Sequence, residues 1–99
     1  MTRPVRPPAK PTVLVDNDRA IATEWRFAPG SETGWHRHGH DYIVVPMTNG
    51  ELLLEEPGGG SRIAPLKAGA PYFRGEGVEH NVVNTSAHEV VFIEIEIKP

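Results

Sequence analysis

This chain cannot run straight for long. Clusters of turn-forming residues interrupt it at Asp16-Asn17-Asp18, Pro29-Gly30, Asn49-Gly50, Pro57-Gly58-Gly59-Gly60, Lys67-Ala68-Gly69, Gly75-Glu76-Gly77 and Thr85-Ser86-Ala87-His88. Glycine reaches φ angles that other residues avoid, and proline lacks the amide hydrogen that a helix or a central strand needs. With ten of each in 99 residues, long helices are excluded, and no segment carries a helical period. What lies between the turns alternates. From Ala20 to Ala28, Ile21, Thr23, Trp25 and Phe27 share one face, and Glu24 and Arg26 share the other. From Val90 to Lys98, Val91, Ile93, Ile95 and Ile97 oppose Glu94, Glu96 and Lys98. A period of two belongs to a strand in a sheet. Residues 12–16, 51–56, 62–66, 70–74 and 79–84 add shorter strands. Ile43-Val44-Val45 is apolar on both faces and is expected to be covered on both. Asn49-Gly50 is the strongest hairpin signal in the chain. Pro46 marks a sheet edge or a bulge, since it cannot donate to a ladder. About eight short strands at this spacing make an all-β sandwich or small barrel.

One domain is expected, residues 12–99, preceded by an arm, residues 1–11. The arm holds four prolines and three basic residues, a composition for an extended or disordered segment. Cysteine is absent, which removes disulfides, thiolate metal sites and thiol nucleophiles and suits a reducing cytoplasm. No apolar h-region opens the chain, and no apolar run approaches the ~20 residues that cross a bilayer. Ten Lys and Arg against 13 Asp and Glu give a net charge of -3, the wrong sign for a nucleic-acid surface. Neither nucleic acid nor a membrane is expected as a partner.

The chemistry is concentrated in Trp35-His36-Arg37-His38-Gly39-His40-Asp41-Tyr42. On a strand, residues two apart share a face and lie about 6.6 Å apart. His36 and His38 are therefore neighbours, able to converge on one ion at about 2.0–2.1 Å per bond. His40 keeps the same parity if the strand stays regular through Gly39. Asp41 reads first as an exposed loop charge, Trp35 as an outward residue, Trp25 as core, His88 as an exposed turn residue, and Glu55-Glu56 as a solvated edge.

The rest of the chain supplies a second pattern. Gly30-x5-His36-x-His38 resembles the first half of cupin motif one, G-x5-H-x-H-x3,4-E-x6-G. Gly69-x5-Gly75-x-Gly77-x2-His80-x3-Asn84 resembles cupin motif two, with Gly75 in place of its proline. The resemblance implies a double-stranded β-helix, the jelly-roll barrel of the cupins, with a metal held inside by His36, His38 and His80. One divalent transition metal is implied, of Fe, Zn, Ni, Mn or Cu. The motif's glutamate falls on Tyr42 or, with one more intervening residue, on Ile43; neither is a carboxylate. The shorter count needs an extra residue before Gly50, which a bulge at Pro46 would absorb. Three readings stand open: a site of three histidines alone, a fourth bond from His40 or the Tyr42 oxygen, or a polar pocket without metal. Asn84 has a structural role in this family. Tyr72 and Arg74 share a face leading into motif two. If that face points inward, Arg74 can hold a substrate carboxylate, with Tyr72 beside it.

Residues 40–50, with Pro71-Tyr72-Phe73-Arg74 and Gly77-Val78-Glu79-His80-Asn81, resemble small stand-alone cupins named for β-alanine degradation. Cupin-like dioxygenases with three-histidine iron sites imply an iron-dependent oxygenase acting on a small organic acid or carbonyl compound, with Tyr42 as its catalytic side chain. A non-oxidative isomerase or lyase, or a non-catalytic binding module, are the alternatives. A homodimer is expected.

Overall fold

The computed structural model describes residues 5–99. Nine strands are formed among them: β1 (Lys10–Asp16), β2 (Ala20–Phe27), β3 (His36–Arg37), β4 (Asp41–Pro46), β5 (Gly50–Glu55), β6 (Ser61–Leu66), β7 (Tyr72–Arg74), β8 (Glu79–Val83) and β9 (Val90–Ile97). A single 3₁₀ turn covers Pro57–Gly59. The strands make two sheets, β1-β2-β9-β4-β7 and β3-β8-β5-β6, and every neighbouring pair is antiparallel. No described helix is long and apolar enough to cross a membrane.

Alternation decides which side chains meet between the sheets. In β4, Tyr42, Val44 and Pro46 are buried, while Ile43 and Val45 on the other face are half-buried. Phe27, Val44, Leu52, Leu54, Leu66, Val82, Val90 and Phe92 form the core. Burying each such side chain contributes about 1.5–3 kcal/mol. Along the inner face of the five-stranded sheet, the cross-strand pairs Phe27/Val90 and Trp25/Phe92 are apolar. Further along, Thr23 pairs with Glu94, and Ile21 with Glu96, which neighbours Tyr42. The interior thus changes from a dry core to a polar-walled space within a few residues.

Two local expectations are corrected. Asn49-Gly50 is not a hairpin, because β4 and β5 belong to different sheets. A type I′ turn needs positive φ at both residues, and neither has it. Instead, Asn49 Oδ1 accepts from the Ala68 amide at 2.9 Å, and a Cβ on Gly50 would lie 3.1 Å from Val90 Cγ2. Glycine is needed there for close packing as the chain crosses between sheets. Pro46 carries no bulge either: β4 pairs with β9 in unbroken register, and Pro46 is its last residue. The bulge lies in β1, between Val13 and Val15.

Residues 5–9 of the arm lie against their own chain. The Ala9 amide donates to the Glu32 carbonyl at 2.8 Å, and the Glu32 amide to the Pro7 carbonyl at 3.0 Å. Arg6 reaches Glu55 at 2.9 Å and Glu32 at 3.2 Å. Glu55 is therefore part of a half-buried network rather than a solvated edge; its oxygen also accepts from Asn81 Nδ2 at 2.8 Å. The remainder of the arm, residues 1–4, lies outside the described residues.

Candidate metal centre

His36 on β3 and His80 on β8 are direct cross-strand partners, so the sheet itself sets their rings side by side. His38 follows β3 and is tied to the motif-two loop in both directions. Its amide donates to the Val78 carbonyl, and its carbonyl accepts from the Gly77 amide, both at 2.8 Å. Gly77 has φ of 92°, a conformation that glycine reaches without strain. Asp41 Oδ1 accepts the Glu76 amide at 2.7 Å and steadies the same turn.

The three rings converge through the same atom. Nε2 of His38 lies 3.0 Å from Nε2 of His36 and 3.1 Å from Nε2 of His80. The Gly34 carbonyl can only accept, so His36 Nδ1–H donates to it at 2.9 Å. That tautomer leaves a lone pair on Nε2, aimed at its two neighbours. Burial, then the neighbouring His36, lowers His38 to about 4 and His80 to about 3. Both are neutral at pH 7, as metal ligands must be. Three facing ring nitrogens cannot all satisfy one another with one lone pair or one N–H each. A shared cation resolves that conflict. Two bonds of about 2.0–2.1 Å to one ion place nitrogens about 3–3.4 Å apart, close to the spacing observed. The donor set fits a divalent transition metal.

Tyr42 covers this group. Its ring stacks on His38 with centroids 3.9 Å apart and planes 18° apart. Burial pushes its phenol up to about 12, so in the metal-free chain it is a neutral hydroxyl at pH 7. The hydroxyl has no hydrogen-bond partner among the described residues. His40 goes elsewhere. The backbone bends at Gly39 and His40, which ends the parity that would have kept His40 with His36 and His38. It lines a separate shallow depression with Asp41, Glu76 and Lys98.

The histidines open onto a cavity of about 300 Å³, lined also by Trp25, Leu52, Leu54, Tyr72, Arg74, Val82 and Phe92. Arg74 and Tyr72 thus face inward. Two further residues there were not singled out from the sequence: Glu94 and Glu96 line the same cavity. One oxygen of each lies, with a ring nitrogen of His38, in a group whose atoms are all within 4.8 Å of one another. Burial, then Glu96, pushes Glu94 up to about 7. The period of β9 shows that the glutamates share a face. It does not show which face is inside, and isoleucines opposite glutamates imitate an ordinary solvent-facing row.

Asn84, fully buried, donates to the carbonyls of Phe27 at 3.0 Å and His88 at 2.9 Å, a structural role as expected. Trp35 is exposed, and Trp25 packs against the core as well as lining the cavity.

Two antiparallel sheets with three histidines facing the space between them define a class of protein, the cupins. Solved structures agree. A cupin domain from Bordetella pertussis superposes with a TM-score of 0.94 at 61% identity, covering 98% of this chain and all of that one (100%). A cupin superfamily protein from Desulfitobacterium hafniense, at 12% identity and TM-score 0.72, shares the fold over 99% of this chain and 84% of that chain. The β-alanine degradation protein BauB of Pseudomonas aeruginosa is 71% identical over 93 residues, 94% of this chain and 97% of BauB. The chain belongs to the BauB family of cupins. The oxalate-binding protein of Thermotoga maritima is a more distant relative, 26% identical over 80% of this chain and 63% of that protein. No protein-family model matches the chain.

Proposed function

We propose that this cupin is a metal-dependent enzyme of the dioxygenase type, acting on a small organic acid or carbonyl compound. The observation that carries the reading is the convergence of three imidazoles on one wall of a cavity that also holds a guanidinium. His36, His38 and His80 would hold the ion, iron foremost among Fe, Zn, Ni, Mn and Cu. When bound, it supplies Lewis-acid polarisation of a substrate oxygen and, as iron, access to O2. Such a reaction takes both oxygen atoms into the product and needs no separate reductant. Arg74 pairs with the substrate carboxylate. Tyr42, held neutral, donates its hydroxyl proton to a substrate oxygen on which charge develops. Leu52, Leu54, Val82 and Phe92 keep bulk water from the reacting groups.

The name of the BauB relative supports a short-chain acid as substrate. That of the Thermotoga protein favours a second reading, a binding module without turnover. Oxygen uptake by the Fe(II)-loaded protein across a panel of small acids separates the two. No uptake from a fully loaded protein, together with tight ligand binding, would leave the second reading standing.

A reducing cytoplasm is the compartment this chemistry suits. Two subunits pair, on this reading, through the outer face of the five-stranded sheet. There Ile43 lies between Ile95 and Phe73, and Val45 beside Ile93, with Phe73 58% and Ile97 42% exposed.

A further inference from the structure

The carbonyl that orients His36 belongs to Gly34, in a loop outside the named strands. On one side this loop lies along β8: the Thr33 amide donates to the Val82 carbonyl at 2.9 Å, and Glu32 bridges to Val83. On its other side lies the arm. Pro8 bridges to Glu32 in parallel, through the backbone bonds from Ala9 to Glu32 and from Glu32 to Pro7. The arm is thus a short extra strand, with Glu32 enclosed between it and β8. Side chains carry the same tie toward the histidines. Asn81 follows His80 in the chain. Its Oδ1 accepts from the Gly34 amide at 2.9 Å, and its Nδ2 donates to Glu32 Oε1 at 2.9 Å and to Glu55 Oε1 at 2.8 Å. Two anions that meet at one neutral amide repel each other. Arg6 Nη1 reaches the same two oxygens, at 3.2 Å and 2.9 Å, and supplies the countercharge. The side chains of Arg6, Glu32 and Glu55 are only 25%, 29% and 21% exposed, so water and salt screen these charges incompletely.

We propose that Arg6 is a positioning residue for the metal centre, and that the arm is a strap which keeps the centre closed. The guanidinium holds Glu32 and Glu55 together, the two carboxylates hold Asn81, and Asn81 holds Gly34 and with it the ring of His36. The proposal rests on the reading of His36, His38 and His80 as the ligands. Groups that orient a ligand ring govern how firmly it keeps its metal. When the strap opens, the Gly34 loop loosens and His36 can turn away from the ion. Arg6 therefore sets how long an ion stays. Linkage runs both ways: an ion held better by the closed strap holds the strap closed in turn.

Cobalt(II) release tests this. The whole chain, loaded with cobalt(II), is mixed with excess EDTA at low ionic strength, and the loss of the visible cobalt absorption is timed. Arg6→Gln should release cobalt about fivefold faster than the wild type, the scale of a partly exposed ion pair. Arg6→Lys keeps the charge and should stay nearer the wild type. Arg6→Gln/Glu55→Gln removes the repulsion along with the countercharge, while the new amide oxygen can still accept from Asn81, and should recover much of the loss. Arg26→Gln is the control. Arg26 also pairs with two carboxylates, Glu24 at 2.9 Å and Glu89 at 3.0 Å, and its substitution should leave release unchanged. Hydrogen exchange across residues 5–9 should slow when the wild type takes up cobalt. Equal release from the wild type and Arg6→Gln overturns the proposal. So does an equal acceleration by Arg26→Gln, which would mark a general loss of stability, or an arm whose exchange ignores the metal. A wild-type protein that takes up no cobalt overturns the metal centre itself, and the strap with it.

Discussion

His36 illustrates how much a single hydrogen bond decides. A ring free to flip would present either nitrogen to the cavity. The Gly34 carbonyl accepts from Nδ1–H and leaves Nε2 facing His38. His36→Ala, His38→Ala and His80→Ala should each lower the metal content of protein purified without chelators from near one ion per chain to a small fraction. Full metal content in His36→Ala would exclude the site described here. Tyr42→Phe is a different test. It keeps the ring that stacks on His38 and removes only the hydroxyl. Metal content should be unchanged, and turnover should fall by about a hundredfold if the hydroxyl transfers a proton. An unchanged rate would reduce Tyr42 to a packing role.

At the scale of elements, the site is a junction between β3 and β8, with the loop before β3 fastened by side chains. Asn81 Oδ1 accepts from the Gly34 amide at 2.9 Å, and its Nδ2 donates to Glu32 and Glu55. Arg6 closes the network on the same two carboxylates. Asn81→Ala leaves Gly34 N–H and two half-buried carboxylates short of a partner, at a cost of about 1–3 kcal/mol. Denaturant titration should show that loss, and metal affinity should fall with it, because Gly34 also orients His36. Unchanged metal affinity in a destabilised variant would mean that the loop holds His36 without Asn81. The same junction explains what was hidden from the strand pattern. Residues 36–45 read as a continuous stretch, yet β3 and β4 lie in different sheets. Periodicity describes faces within a strand and is silent about which sheet a strand joins. His40 falls beyond that division, and Asn49-Gly50 makes a crossing between sheets for the same reason.

For the whole molecule, protonation and association are the measurable properties. In the metal-free protein, burial and His36 lower His38 and His80 from 6.5 to about 4 and about 3. The unfolded chain takes up these protons near 6.5 and the folded one does not, so that stability is full above 6.5 and is lost as pH falls toward 4 and 3. Glu94 acts in the opposite sense. Burial raises it from 4.5 to about 7, so its contribution is full below 4.5 and is lost as pH rises through 7. Between pH 4.5 and 6.5 two histidine protons oppose one carboxyl proton. Stability should therefore rise with pH by about 1 kcal/mol per unit. Urea titrations of metal-free protein across that window check the sign; a falling curve would contradict the burial of the histidines. For association, Phe73→Glu on the outer face should convert a dimer to a monomer in sedimentation without changing metal content. A wild-type mass that is monomeric at all concentrations would remove the proposed pairing.

By itself, the sequence determined that the chain is all-β, because its turns are too frequent for helices and its strands alternate. The resemblance of its two motifs to those of the cupins also singled out His36, His38 and His80, which the fold brings together. The tertiary structure alone decided which faces look inward. Alternation is symmetric: it sorts Glu94 and Glu96 from Ile93 and Ile95 without saying which pair meets the cavity. That choice comes from the packing of one sheet over the other. It turned an apparent solvent-facing row into the acidic wall beside the histidines, and it set Arg74 across Tyr42 from that wall.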